Sequence, residues 1–231
     1  MKVKRKNQGF TLIELLVVIT IIALLAGMAM PAFKKVLESA KIITDVNKIK
    51  QITTACSSFA ADWDGSYPNF DPENVGGGQE ESGFGSSTEA FNVLIPEYVD
   101  TETIFWIKTN NPDKMMAPRE DGELTQQENT YAYVTNQSNT SYSGSPLVAD
   151  GEMDGPGTYG EFHPWLQSKT AVIGYVGGHV IKERLSSNQP GATVRSKDGL
   201  IQDIFQKRAV GEDGGGSGGN LSVASDNILL P

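Results

Sequence analysis

Hydrophobic and polar positions divide the chain into three stretches. From Phe10 to Met30 the sequence is apolar at all but three positions, Thr11, Glu14 and Thr20. At about 1.5 Å rise per residue, a helix over this run is roughly 31 Å long, close to the ~30 Å hydrocarbon thickness of a bilayer. Past Pro31 the pattern changes. Val36, Ala40, Ile43, Val46, Ile49, Ile52, Cys56 and Phe59 recur at steps of three or four, the spacing of an amphipathic helix with one apolar stripe. Lys34, Lys35, Lys41, Lys48 and Lys50 fall largely off that stripe and read as a solvated face. The two patterns predict one helix from about Thr11 to about Ala61. Gly27 and Pro31 interrupt it, and Pro31 predicts a kink where the helix leaves the bilayer, since proline removes a helical hydrogen bond. The turn-forming residues Asp62 to Pro68 predict its end.

The third stretch alternates short apolar runs with long polar ones. Residues 64–87 read as a loop. Ser87-Thr88-Glu89 predicts the cap of a short helix reaching about Ile95, before Pro96. Thr103–Lys108 and Thr130–Thr135 are aromatic and β-branched, so both are candidate strands. Residues 109–129 and 136–162 read as irregular and as loop. The strongest β signal is Thr170–Val176, Gly177-Gly178, then His179–Arg184, which predicts a hairpin with a primed turn. Leu200, Ile201, Ile204 and Phe205 predict a helix over roughly 197–208. Residues 211–219 hold six glycines in nine positions and read as a linker. The apolar residues of Leu221–Leu230 could add an edge strand. The expected class is α+β: a long N-terminal helix, transmembrane and then amphipathic, with a small antiparallel sheet packed on its outer half. The corresponding segments are a leader over 1–9, a span over 10–31, its continuation over 32–62 and an acidic domain over 63–231.

Charge sharpens this division. Residues 1–9 carry +4 (Lys2, Lys4, Arg5, Lys6), residues 10–61 carry +2, and the total of −9 leaves −15 for residues 62–231. A basic flank before an apolar run predicts a cytoplasmic N-terminus, with the acidic bulk on the other side of the membrane. An acidic domain argues against nucleic acid as a partner. The single cysteine, Cys56, sits at helical spacing among Ile52, Phe59 and Ala60 and reads as a small core residue.

Three readings of the opening compete. A secretory signal peptide has a shorter apolar stretch and a small-residue cleavage site. Ala29-Met30-Pro31 offers no compelling one. A plain signal anchor explains the length and the basic flank but not Glu14, because an acid within a span is costly and is a functional hypothesis by default. The third reading accounts for Glu14. The segment Gly9-Phe-Thr-Leu-Ile-Glu-Leu-Leu-Val-Val-Ile19 resembles the start of the type IV pilin and type II secretion pseudopilin family. The resemblance implies cleavage by prepilin peptidase between Gly9 and Phe10, methylation of the new amine, and a role for Glu14 in register and recruitment during filament assembly. It also implies a proline near position 31 at which the helix bends or melts in a filament. A neighbour's Glu14 pairing with the Phe10 amine would make two costly charges tolerable together. Gly9, without a side chain, lets the backbone enter a tight protease cleft.

A second likeness lies in Ala90–Val99, Thr103-Ile-Phe-Trp106 and the Gly-Gly-His179-Val hairpin. These resemble large pseudopilin-like proteins of planctomycete and verrucomicrobial type, although Gly177 stands where that pattern has Asp. No catalytic constellation appears: His163 and His179 lack metal-ligand spacing, and no nucleophile elbow is present. The alternation Asp150, Glu152, Asp154 resembles the start of a calcium loop without the closing Glu, which makes calcium a candidate ligand and otherwise leaves no cofactor expected. The functional expectation is a non-enzymatic structural subunit of the bacterial inner membrane, its outer domain periplasmic or filament-borne. Its expected partners are prepilin peptidase, other pilin or pseudopilin subunits and the inner-membrane assembly platform. The alternative is a membrane-held binding module that does not polymerise.

Overall fold

The computed structural model describes residues 10–70, 83–109, 111–114, 116–151, 153–155, 157–194 and 228–231. The leader, the helix expected over 197–208 and the linker over 211–219 lie outside them. The chain divides into two units, Met1–Ile43 and Thr44–Pro231. Helix α1, Leu12–Asp62, contributes to both and passes through Pro31 without a break.

In the first unit α1 has no cover from Phe10 to Leu37, where its large apolar side chains stand 46–82% exposed, and Ile42 near the unit's end is buried. The stripe expected from Val36 onward is therefore not buried over its first half, and Val36 and Ile43 are exposed. Burial is established in the second unit, where Asp45, Ile49, Ile52, Thr53, Cys56, Phe59 and Ala60 are all buried. Asp64 (φ 46°) and Gly65 (φ 83°) then close the helix, with Gly65 N–H donating to the Ala60 carbonyl at 2.8 Å. That five-residue reach past a left-handed residue is a Schellman-type stop.

This end of α1 packs on a five-stranded antiparallel sheet. Its strands are β1 (Tyr131–Val134), β2 (Pro146–Asp150), β5 (Thr170–Tyr175), β6 (Val180–Arg184) and β8 (Ile228–Leu229), in the order β6-β5-β2-β1-β8. Gly174 on β5 marks how close the helix lies. A Cβ there would fall 2.6 Å from Thr53 Oγ1 and 2.7 Å from Ile49 Cγ2. The opposite face carries a second apolar cluster, in which Ala132, Val134, Ala149, Ala171 and Ile173 pack with Tyr159, Leu166, Leu185, Ala192 and Val194. There a smaller sheet, β3-β4-β7 (Met153–Gly155, Thr158–Tyr159, Ala192–Thr193), contributes Tyr159 and Ala192. Because both faces are covered, β1 and β2 are buried at every position.

Several expectations change. Residues 136–162 contain β2, β3 and β4 rather than a continuous loop. β2 was hidden because Pro-Leu-Val-Ala-Asp has no polar alternation, as expected of a strand covered on both faces. Thr103–Lys108 is not a strand, since Glu102–Phe105 forms a 3-10 turn. Glu120 accepts from the N–H groups of Glu102 and Thr103, and Lys48 donates to the carbonyls of Thr103 and Trp106, so side chains hold both ends of the turn. Helix α2 spans Ser87–Asn92, capped by Ser86 rather than by Ser87, and stops short of Ile95. The β5–β6 hairpin forms, but with a three-residue loop. Gly178 N–H donates to Tyr175 O, Tyr175 N–H donates to His179 O, and Gly178 sits at φ 75°. That matches a turn followed by a left-handed residue, not a two-residue primed turn. The tail supplies edge strand β8, paired with β1.

Candidate functional site: the N-terminal helix and its anchorage

The start of α1 is a reciprocal cap. Glu14 Oε2 accepts from Thr11 N–H at 2.8 Å and from Thr11 Oγ1 at 2.6 Å, while Glu14 N–H donates to Thr11 Oγ1 at 3.3 Å. Thr-x-x-Glu is the capping-box pattern, and it satisfies donors that an apolar helix start leaves open. The sequence signal was the spacing of Thr11 and Glu14, which the functional reading of Glu14 passed over. Thr20, the remaining polar residue of the run, donates to Val17 O at 2.8 Å. Each polar side chain in the apolar stretch is thereby bonded within its own helix. Gly9 lies outside the described residues, and Phe10 is exposed at the boundary. Among the described residues, α1 is the one helix long and apolar enough to cross a membrane.

Further along, α1 is fixed by a buried carboxylate. Asp45 is fully buried, and its two oxygens accept from Tyr131 Oη at 2.7 Å and from Trp165 Nε1 at 2.8 Å. Burial pushes its pKa up to about 6, against those two hydrogen bonds and the Lys48 ammonium, which pull it down. Burial also lowers Lys48. Asp45 falls four residues before Ile49 on the stripe, so its position, if not its partners, was available from the sequence. Lys50 adds a hydrogen bond to the carbonyl of Gly178 in the β5–β6 loop.

Of the three candidate calcium residues, Asp150 alone has a described side chain. Asp150 is buried at the end of β2, with Oδ2 3.8 Å from His163 Nε2. Glu152 is outside the described residues, and Asp154 is described only as backbone in β3. Among the described residues no group of three or more His, Cys, Asp or Glu could hold a metal. His163 contacts the carbonyls of Gly151 and Thr170 at 3.0 and 2.9 Å. Burial lowers the His163 pKa and, with Asp45 nearby, holds Asp150 well above the usual carboxylate range. His179, by contrast, is exposed and stacks on Tyr175 with centroids 4.7 Å apart. Gly177 fills the position where the second likeness has Asp, and a Cβ there would come within 2.9 Å of Ser143 O. Cys56 is fully buried, and burial pushes its thiol well up, as an inert core residue requires.

Residues 4–30 match the family model for the prokaryotic N-terminal methylation motif, a segment typical of type IV pilins and pseudopilins. The matched residues coincide with the basic leader, the capping box and the exposed apolar part of α1. The motif indicates a pilin-like substrate of prepilin peptidase, and its one apolar N-terminal helix is consistent with a single-pass membrane anchor. Neither a curated protein nor a solved structure matches the chain.

Proposed function

We propose that the chain is a structural subunit of pilin or pseudopilin type. It enters the inner membrane through α1 with its N-terminus in the cytoplasm, is cut by prepilin peptidase between Gly9 and Phe10, and is built by an inner-membrane assembly platform into a pilus or secretion pseudopilus. The observation that carries this is the coincidence of the methylation motif over residues 4–30 with a helix whose apolar side chains have no cover. Such a surface needs lipid before assembly and other helices afterwards. Glu14 supplies register by exchanging its cap for the Phe10 amine of a neighbour, and Pro31 supplies a point where one backbone hydrogen bond is already missing.

The test separates processing from assembly. Gly9→Leu is expected to leave the full-length chain uncut in cells that express the peptidase. Glu14→Ala is expected to be cut and to remain in the membrane without entering filaments. If Glu14→Ala enters sheared filaments at the wild-type level, the pairing role of Glu14 is refuted.

One observation favours a second reading, a membrane-held binding module. Thr11 already satisfies Glu14 within its own chain, so the acid needs no partner subunit to be tolerated. This reading predicts that all of the processed chain stays in the membrane fraction, with no crosslinks between copies along α1.

A further inference from the structure

A span over Phe10–Met30 leaves the next turn of α1 unexplained. Lys34 and Lys35 are exposed there, set among Phe33, Val36 and Leu37, which stand 64%, 64% and 59% exposed. At about 1.5 Å per residue, Phe33, Lys34 and Lys35 lie roughly 4.5, 6 and 7.5 Å beyond Met30 along the helix. The headgroup layer on each side of a bilayer is roughly 5–8 Å thick. These three side chains therefore fall at headgroup level. Glu38 and Lys41 lie roughly 12 and 16 Å out; Lys41 is thus about one Debye length, ~8 Å, past the headgroups.

Processing isolates these two cations. A cut after Gly9 removes Lys2, Lys4, Arg5 and Lys6, and residues 10–33 hold no Lys or Arg. Lys34 and Lys35 then become the basic side chains nearest either end of the span. The Phe10 amine is left as the cation at the other end.

We infer that Phe33, Lys34 and Lys35 form a collar that binds anionic phospholipid headgroups at the end of the span away from the leader. The inference rests on the membrane-spanning reading above. Charge selects the ligand: two adjacent ammonium groups favour a headgroup with net negative charge over a zwitterionic one. Phe33 adds an aromatic ring at the depth where such rings are enriched. The acidic domain of another copy, with −15 over residues 62–231, is the competing occupant. Depth favours lipid, because the bilayer itself brings phosphate to the level of Lys34 and Lys35.

The processed chain, purified from cells that express prepilin peptidase, is titrated in a neutral detergent with phosphatidylglycerol and with phosphatidylcholine, and bound lipid is counted by native mass spectrometry. Wild type is expected to prefer phosphatidylglycerol. A lysine near an anionic surface is worth about a five-fold change in association, so Lys34→Gln with Lys35→Gln should lower the preference about 30-fold at low salt. Lys41→Gln should lower it less than about two-fold. The leader, with its own four cations, is absent from the processed chain and adds no lipid binding. An unchanged preference in the double variant overturns the collar, as does an equal loss in Lys41→Gln. So does a double variant that keeps its lipid preference but loses crosslinking between copies in vesicles, since the lysines then serve another copy. Alkaline carbonate extraction separates the two readings. A wild-type chain released by carbonate refutes the span, whereas a retained chain without lipid preference refutes the collar alone.

Discussion

Replacing Asp45 by asparagine tests whether α1 is fixed to the sheet by a buried charge. The folded pKa of Asp45 is pushed up to about 6 from 3.8, chiefly by burial. The folded protein thus holds this proton more tightly than the unfolded chain does. The stabilisation from protonation is fully present below pH ~4 and is lost as pH rises through ~6. A shift of about two units corresponds to about 3 kcal/mol. The asparagine side chain cannot titrate, and its Oδ1 can accept from Trp165 while its amide meets Tyr131 Oη. The variant should match wild type within about 1 kcal/mol near pH 4 and gain on it by about 3 kcal/mol by pH 7.5. For a unit of this size that is roughly a 6–12 °C relative rise in Tm. The assay is thermal unfolding of both full-length proteins in detergent from pH 4 to 8, read by tryptophan fluorescence. Lys48 and Asp150 feel the Asp45 charge and respond with it, so they are part of the difference. Groups it does not reach, including the oppositely shifted His163, are common to both proteins and drop out. Parallel Tm–pH curves would refute the reasoning.

Asp45→Ala removes the acceptor for two buried donors and is expected to be about 2–5 kcal/mol less stable than Asp45→Asn, seen as a lower Tm. Gly174→Ala should cost about 1–3 kcal/mol, and Thr53→Ala should recover part of it, because Thr53 Oγ1 is the nearest obstacle. Gly151→Ala is expected to give no folded outer domain, since its Cβ would lie 1.2 Å from Thr130 O, a backbone atom that has no rotamer to change. Cys56 should react with a thiol reagent only in denaturant, and fast labelling of the native chain would contradict its burial. Tm should be flat in excess calcium, because the Asp150 carboxylate is turned inward beside His163, and a saturable rise would restore Asp150, Glu152 and Asp154 as ligands.

What the sequence made legible was whatever rested on a single periodicity. The 3.6-residue stripe from Ile49 to Phe59, the β5–β6 hairpin and the long apolar run each appear as local patterns, and each is present in the fold. What it hid depends on contacts between distant residues. Pro146–Asp150 looked like loop because its neighbours on both faces come from elsewhere in the chain. Thr103–Lys108 had strand composition, yet Glu120 and Lys48, far away in sequence, hold a turn there. Asp45 keeps stripe spacing to Ile49, but nothing local shows what would meet a carboxylate there. Its burial is intelligible only once Tyr131 and Trp165, 86 and 120 residues away, stand opposite it. At the candidate assembly site the limit was different in kind: the capping box was local and readable, but a costly acid in a membrane suggested a distant partner first.

That capping box changes the energetics of assembly. If Glu14 were bare in the bilayer, pairing with a neighbour's amine would recover the whole cost of burying a carboxylate. With Thr11 donating both N–H and O–H to one of its oxygens, assembly exchanges two existing hydrogen bonds for a charge pair. The driving force is then a difference, and it shrinks as the cap strengthens. Thr11→Val keeps the shape, removes the hydroxyl and loosens the hold on Glu14, at a local cost of about 1 kcal/mol to the helix start. It is expected to leave cleavage after Gly9 intact and to increase the fraction of processed chain crosslinked between copies through the first turn of α1. Crosslinking that falls in Thr11→Val would mean that the cap orients Glu14 toward its partner instead of competing with it.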